Sequence, residues 1–501
     1  MWSFMDFVVD EISIMFNKIK EKLLKLFKDY KNSFLMLCLV FGLGFYPIIR
    51  ANFNYVDDVG RVFFGYKDWN NFSRHLSCFF SNFIHADRYL TDVSPLTQII
   101  ATVFLVISGI IILKTITDRK KFSFLDVISV VPLGISPYFL ECISYKYDSP
   151  YMAMSVLFSV IPFVFYKKDS LIYYLSIILC TLGMCMTYQA SSGIFPMIVI
   201  FISLKKWINK EKYKDIFKFI GISVLGYLIG MIIFKFCFMT KVTTYVSNSI
   251  PALDKLIPTF IYNIKTYVET ITSDFKKGWL LLSGFICLGC IFKIVKNSNQ
   301  NKFISLIVGV ISIIVIFILL FGMYSILETP LFMPRSMYGF CVFITLMGSF
   351  IATDKGMYFT KFIYLMLVWC FFVFSFTYGN ALVLQKEYMD FRIFSVIDDM
   401  KDLDILNDTI YNRAQISGTI GRAPAIENMP QDYNVLNRLI PVTFRNSSYL
   451  WGRVQFENYY KLDRLIWDEK FDFTKDDLPV LKDNIYHTIK GDNRRILIIL
   501  K

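Results

Sequence analysis

Residues 303–325 read FISLIVGVISIIVIFILLFGMYS, a stretch without a single charged side chain. About 20 consecutive apolar residues are enough for a helix to cross the hydrocarbon core of a bilayer. The whole chain has the same character: of its 501 residues 55% are hydrophobic and 19% are charged, and the mean hydropathy is +0.49. A soluble domain carries about 25% charged residues. The composition predicts a polytopic membrane protein and argues against a soluble, disordered or disulfide-stapled one.

Apolar stretches of similar length recur through residues 33–384 and predict an all-α membrane domain with about eleven transmembrane helices. The predicted spans are 33–50, 94–116, 124–143, 150–166, 170–188, 192–204, 217–238, 279–295, 303–325, 336–353 and 359–380. Short loops rich in Lys and Arg alternate with longer loops of mixed charge, and basic loops stay in the cytoplasm. We therefore expect a cytoplasmic N-terminus and a first outer loop at 51–93.

The net charge of +13 is unevenly distributed along the chain. Residues 1–384 carry a net charge of +14, whereas residues 385–501 carry −1. Excess positive charge among apolar segments is typical of cytoplasmic membrane loops, so we expect a lipid bilayer and no nucleic acid as partner. Residues 1–32 combine six Lys with apolar residues at helical spacing, which predicts a basic amphipathic helix on the inner membrane surface.

Residues 385–501 are about 30% charged, the density of a soluble domain. A helical stretch at about 384–404 precedes a strand-like segment at 409–420. Two further strand-like segments, 485–490 and 494–500, flank the turn Gly491-Asp492-Asn493, which predicts a hairpin. We expect a small α+β domain outside the membrane.

The ten Cys and three His do not form a recognisable metal-binding pattern. Nearly all the Cys lie in apolar stretches, where they act as small hydrophobic residues, and the His are scattered. The sequence predicts no metal ligands and requires no cofactor. It leaves open whether a divalent metal screens the charge of a phosphate.

The polar residues that could carry chemistry lie at the outer ends of the spans. The first outer loop opens with Asn52-Phe-Asn-Tyr55-Val-Asp57-Asp58-Val-Gly60-Arg61. A carboxylate within hydrogen-bond reach of a sugar hydroxyl can accept its proton, and Arg or Lys can stabilise a leaving phosphate. One interpretation is a catalytic acidic pair; the alternative is a pair of solvated surface carboxylates.

Further polar segments follow on the same predicted side. They are Asp92-Val-Ser94-Pro95-Leu96-Thr-Gln98, Glu141, Tyr147-Asp148-Ser149-Pro-Tyr-Met152-Ala153, Tyr188-Gln189-Ala190-Ser191 and Pro334-Arg335. For some of these residues the alternative is a purely structural role. In that interpretation Asp92 and Ser94 cap a helix and Arg335 anchors a span at the interface. Their common side nevertheless favours chemistry at the outer membrane surface over passage through the bilayer.

Together with Tyr55–Arg61, and over residues 50–340, these segments resemble the serotype-converting O-antigen glucosyltransferases of the Gtr group, membrane glycosyltransferases of the GT-C type. The resemblance implies a multi-pass enzyme of the bacterial inner membrane with a periplasmic C-terminal domain. It implies an undecaprenyl-phosphate-linked sugar as donor, the O-antigen of lipopolysaccharide as acceptor, and transfer of a hexosyl, expectedly glucosyl, group on the periplasmic face.

The resemblance implies that Asp57 or Asp58 is the general base. On charge and predicted side, the candidates for the donor phosphate are Arg61, Arg88, Lys146 and Arg335, and those for sugar or acceptor are Glu141, Asp148, Tyr188, Gln189 and Asp92. An O-antigen polymerase, a transporter of polysaccharide or lipid-linked sugar, and a non-catalytic scaffold are the alternatives. A polymerase would carry its key Arg residues in large outer loops, and a transporter would place ionisable groups at mid-membrane.

Overall fold

The computed structural model describes most of the chain. The described residues are 17, 20–22, 24–25, 28–167, 170–240, 249–406, 412–429, 434–446, 450–458, 460, 465–467, 472–492 and 494–501. The amphipathic helix predicted for 1–32 therefore falls largely outside the described residues.

The described chain is mainly α-helical up to residue 402. Its first helices are α1 (Lys31–Ala51), α2 (Asp57–Phe64), α3 (His75–Ile84), α4 (Leu96–Thr117), α5 (Phe124–Ile128), α6 (Pro137–Ser144), α7 (Ser149–Val160) and α8 (Ser170–Cys185). There follow α9 (Ile194–Ile208), α10 (Tyr213–Ile233), α11 (Leu253–Asp274), α12 (Lys277–Asn297), α13 (Lys302–Ile318), α14 (Pro334–Met337), α15 (Gly339–Ala352) and α16 (Tyr358–Asp402). Helices of 3₁₀ type extend some of them, and a π-helical turn at Phe234–Phe238 continues α10.

Seven helical segments of the described chain are long and apolar enough to cross a membrane. They are Lys31–Ala51, Leu96–Thr117, Gln189–Ile208, Tyr213–Phe238, Lys277–Asn297, Lys302–Ile326 and Tyr358–Asp402. Three more apolar helices are shorter: Ser149–Val164, Ser170–Cys185 and Gly339–Ala352. The polytopic helical fold is confirmed, whereas the number of eleven crossings stays a prediction.

The predicted span at 124–143 is broken in the structure. Phe124–Leu133 and Pro137–Ser144 meet at an angle of 67°, as in a broken span or a re-entrant loop. Pro132, Gly134 and Pro137 lie at the break. Pro removes a backbone donor and clashes with the preceding turn, and Gly weakens a helix, so this spacing interrupts an otherwise apolar helix.

The last span and the helix predicted at about 384–404 form one continuous helix, the 45-residue α16. Residues 380–402 contain neither Gly nor Pro, so no residue interrupts the helix where its composition turns polar. The polar end of α16 contacts the C-terminal region, where the guanidinium of Arg392 donates to the backbone oxygen of Lys501 (2.8 Å). The boundary predicted at residue 385 thus lies inside a helix.

The described part of the C-terminal region contains a five-stranded sheet and three short α-helices. Its elements are β1 (Asn412–Gly418), α17 (Pro424–Glu427), α18 (Val435–Leu439), α19 (Leu450–Glu457), β2 (Leu465–Trp467), β3 (Val480–Asp483), β4 (His487–Gly491) and β5 (Arg495–Leu500). The strand order is β2-β1-β5-β4-β3, with β1 parallel to both its neighbours and the other two pairs antiparallel. The predicted hairpin around residues 491–493 is confirmed as β4–β5.

The two ends of the helical domain differ in charge and in what they carry. At one end the basic loops meet: Lys205 Nζ lies 2.7 Å from a carboxylate oxygen of Asp118, and Arg119 donates to the backbone oxygen of Thr353 (3.0 Å). At the other end α1 and α16 lie side by side, with Gly379 packed against Pro47. This packing brings the first outer loop and the C-terminal sheet to the end opposite the basic loops.

Candidate active site

A cavity of about 490 Å³ lies at the end of the helical domain that carries the sheet. One half of its wall is polar and charged, and includes Asp57, Arg61, Arg74, Asp148, Gln189 and Arg335. The other half is apolar, and includes Leu228, Met231, Ile232, Phe234, Met323 and Leu327. The apolar half is built from α10 and from the 3₁₀ segment Leu319–Ile326 that follows α13, so it borders two apolar helices of spanning length. Such a cavity can hold a ligand with a charged head and an apolar tail.

The acidic pair lies at the first turn of α2, directly after a strained residue. Val56 has φ +48°, which is unfavourable for a β-branched side chain. The turn is held by Asp58, whose Oδ2 accepts the backbone N–H groups of Tyr55 (3.2 Å) and Lys146 (2.9 Å). The N-terminus of a helix also favours negative charge. The structure thus places the two neighbouring carboxylates in the first turn of a helix.

The two carboxylates occupy different environments. Asp58 is fully buried, whereas Asp57 is half-buried and lines the cavity. Burial raises the pKa of Asp58 to about 7, although Arg61 and the two backbone N–H groups lower it. Asp57 is therefore the carboxylate that can reach a ligand, and Asp58 is the one that holds the turn.

Arg61 is neutralised by a carboxylate next to Asp57. Its Nη2 lies 3.3 Å from Asp148 Oδ1 and its Nη1 forms an ion pair with Asp148 Oδ2. Trp69 donates its indole N–H to Asp148 (2.6 Å), and the Arg61 guanidinium lies 4.8 Å from the centre of the Trp69 ring. Both charged side chains are about 95% buried, so this pair is part of the cavity wall.

Two further predicted cations are also paired. Arg335 Nη1 lies 2.9 Å from Glu141 Oε1, and Glu141 is fully buried. Lys146 Nζ lies 3.1 Å from Asp92 Oδ2 and 2.8 Å from Asn54 Oδ1. Three of the four candidates for the donor phosphate thus already have a carboxylate partner.

The remaining predicted residues differ in whether they line the cavity. Gln189 lines it and donates its amide to the backbone oxygen of Phe72 (2.9 Å). Tyr188 is buried behind the wall, and its hydroxyl donates to the backbone oxygen of Arg335 (3.2 Å). Glu141, Lys146 and Asp58 are buried and do not line the cavity, and neither does the exposed Asp92. Arg88 is exposed and does not line it.

Sequence reasoning missed several side chains that line the cavity. Arg74 follows the acidic pair within the same predicted loop, and Lys235 lies near the end of the predicted span 217–238. Trp451 could not be found from spacing, because it comes from α19 in the C-terminal region and stacks on Tyr66 with ring centres 6.1 Å apart. A side chain at Gly60 would lie 2.1 Å from the Trp451 ring, so this close approach requires glycine.

Among the described residues, no group of three or more His, Cys, Asp or Glu side chains is placed to hold a metal ion.

Comparison with known proteins gives the family of the chain. A protein of Salmonella phage P22, described as an uncharacterized 55.3 kDa protein in the gtrB 5′ region, is 22% identical over 469 residues, which cover 88% of this chain and 94% of that protein. No solved structure matches the chain. The model of the family Glucosyl transferase GtrII matches residues 46–346, which include every cavity-lining segment of the helical domain. The resemblance is thereby confirmed: the protein belongs to the GtrII glucosyl transferase family and is a glycosyltransferase.

Proposed function

We propose that the protein transfers a glucosyl group from an undecaprenyl-phosphate-linked donor to the O-antigen of lipopolysaccharide on the periplasmic face of the inner membrane. The observation that carries the proposal is the two-part cavity, charged around Asp57 and apolar along α10. A lipid-linked sugar has the same division, because a sugar phosphate is joined to a long isoprenoid chain. A nucleotide sugar has no apolar part that would need the second half.

Asp57 acts as the general base in this proposal. Its carboxylate accepts the proton of an acceptor hydroxyl, while the hydroxyl oxygen forms a bond to the anomeric carbon of the donor. The bond between that carbon and the phosphate oxygen breaks, and the lipid phosphate leaves with the electron pair. Attack from the side opposite the phosphate inverts the anomeric carbon, so a single carboxylate suffices and no covalent sugar–enzyme intermediate forms.

The acceptor reaches the cavity past the C-terminal region. Tyr66 and Trp451 stack on each other and both line the cavity, and aromatic rings are suitable surfaces for the C–H faces of sugars. Gln189 supplies an amide oxygen in the charged half that can accept a sugar hydroxyl. The C-terminal region thus contributes to acceptor binding without carrying the base.

The proposal is tested with purified protein in proteoliposomes, polyprenyl-phosphate [¹⁴C]glucose and O-antigen polysaccharide. We expect labelled polysaccharide of unchanged chain length, and no labelling when UDP-[¹⁴C]glucose replaces the lipid donor. A longer polysaccharide would instead support a polymerase. Movement of the lipid-linked sugar across the bilayer without transfer would support a transporter, and labelling from UDP-glucose alone would contradict the proposed donor.

A further inference from the structure

The charges on the cavity wall do not all cancel. Arg61 is paired with Asp148 and Arg335 with Glu141, so neither presents a free positive charge to a ligand. Two other cations on the wall, Arg74 and Lys235, form no ion pair with any described residue. A phosphate bound in the cavity would therefore gain most from these two.

Arg74 is held in place without being neutralised. Its guanidinium carbon lies 4.6 Å from the centre of the Tyr188 ring and 5.4 Å from that of the Phe72 ring. Aromatic faces orient a guanidinium and leave its N–H groups free to donate. The Nε of Arg74 is buried and finds no acceptor among the described residues. A buried donor without an acceptor is unfavourable, so this group is suited to receive an anionic oxygen.

Lys235 lies where the charged and apolar halves of the cavity meet. It is in the π-helical turn Phe234–Phe238, directly after the cavity-lining residues Leu228, Met231 and Ile232 of α10. Turns of π type interrupt helices mostly at functional sites. The Lys235 side chain is exposed and lines the cavity, so its ammonium can approach a ligand without first leaving a carboxylate partner.

The segments that carry the two cations are joined by hydrogen bonds. A ring nitrogen of His75 lies 2.9 Å from the backbone oxygen of Phe238, and the backbone N–H of Thr240 donates to Ser73 Oγ (2.9 Å). Ser73 and His75 are the neighbours of Arg74 in the chain, and Phe238 and Thr240 follow Lys235 in the chain. The two positive charges are thus fixed on one connected part of the wall.

From this arrangement we propose that Arg74 and Lys235 bind the phosphate of the lipid-linked donor, with its isoprenoid chain against the apolar residues of α10. The proposal rests on the proposed function only for the identity of the sugar. The sites assigned to the phosphate and to the isoprenoid chain do not depend on it. Arg61, Lys146 and Arg335 then act as positioning residues, which hold the carboxylates of Asp148, Asp92 and Glu141 in place. Arg88, which is exposed away from the cavity, has no part in binding.

Binding of a polyprenyl monophosphate to the purified protein tests this assignment without turnover. We expect Arg74→Gln and Lys235→Gln each to raise the Kd about 10-fold or more, as loss of a charge-assisted hydrogen bond does. Arg74→Lys and Lys235→Arg, which keep the charge, should recover part of the affinity. Lys265→Gln is the matched control, because Lys265 is exposed on α11 and outside the cavity. Unchanged thermal denaturation midpoints would show that the variants fold.

Two further measurements are needed. One distinguishes a lipid-linked phosphate from a free phosphate, and the other distinguishes the phosphate site from the proposed function. Inorganic phosphate and glucose 1-phosphate should compete only weakly, because they lack the chain; equal competition would overturn the lipid part of the assignment. Wild-type affinity in both Gln variants would overturn the phosphate site itself, even if glucosyl transfer is normal. Tight binding that depends on Arg74 and Lys235, in a protein without transfer activity, would uphold the site and contradict the proposed function.

Discussion

Asp57→Asn is expected to lower the rate of glucosyl transfer by about 10²- to 10⁴-fold, the usual contribution of a general base. Asn has the size of Asp but cannot accept the proton of the attacking hydroxyl. Because the change is nearly isosteric, we expect the variant to reach the membrane in normal amounts and to bind polyprenyl phosphate like the wild type. The rate is measured as transfer of labelled glucose from the lipid donor at saturating acceptor.

Asp58→Asn is the matched control, and its expected effect is much smaller. Both backbone N–H groups that Asp58 accepts go to Oδ2, and the oxygen of an Asn side chain can take that position. The other oxygen finds no hydrogen-bond partner among the described residues and lies 4.0 Å from Arg61 Nη1, at the outer limit of an ion pair, so an amide there displaces only a weak contact. A large loss with Asp58→Asn and a normal rate with Asp57→Asn would reverse the roles we assign to the pair.

Arg61→Met is expected to destabilise the folded protein by about 3–5 kcal/mol, because it leaves the buried Asp148 carboxylate without its cation. Trp69 continues to donate to Asp148, but one neutral donor does not replace a guanidinium. The loss is measured as a lower thermal denaturation midpoint of the purified protein in detergent, and as lower abundance in the membrane.

The double variant Arg61→Met/Asp148→Asn separates the structural from the ligand-binding role of Arg61. Removal of both charges takes away the unpaired Asp148 carboxylate, and only the longer contact of Asp58 with Arg61 (4.0 Å) is still lost, so the double variant should recover much of the stability that Arg61→Met loses. It should also bind polyprenyl phosphate with nearly wild-type affinity, since we assign the phosphate to Arg74 and Lys235. If the double variant recovers its stability but binds polyprenyl phosphate much more weakly, Arg61 binds the donor phosphate and our assignment is wrong.

The helical domain could be predicted closely from sequence because its signal is local. A continuous apolar run such as 303–325 favours a helix in lipid, because a helix pairs all of its own backbone groups there. The hairpin around Gly491 was equally local, because two β-rich segments flank a turn sequence. The break within 124–143 was not predicted, although Pro132 and Pro137 mark it in the sequence. The predicted spans 150–166, 170–188 and 336–353 coincide with apolar helices that are shorter than the seven long ones.

The arrangement of the site could be predicted only in part, because it depends on contacts between distant segments. The sequence indicated Asp57 and Asp58 but could not separate them, since the burial of Asp58 depends on the backbone of Lys146. The neutralisation of Arg335 by Glu141 is a contact over almost two hundred residues. Spacing along the chain contains no information on such pairs, and so it could not show which cations stay free.

We propose that the cavity faces the periplasm, where a lipid-linked donor and the O-antigen meet. Labelling of single cysteines with a membrane-impermeant maleimide in spheroplasts tests it most directly. Suitable positions are Tyr89→Cys, which is exposed in the first outer loop, and Lys120→Cys, which is exposed among the basic loops at the opposite end; both are made in a Cys237→Ser background. We predict that Tyr89→Cys is labelled in intact spheroplasts and Lys120→Cys only after permeabilisation. The reverse pattern would place Asp57 in the cytoplasm and contradict the account.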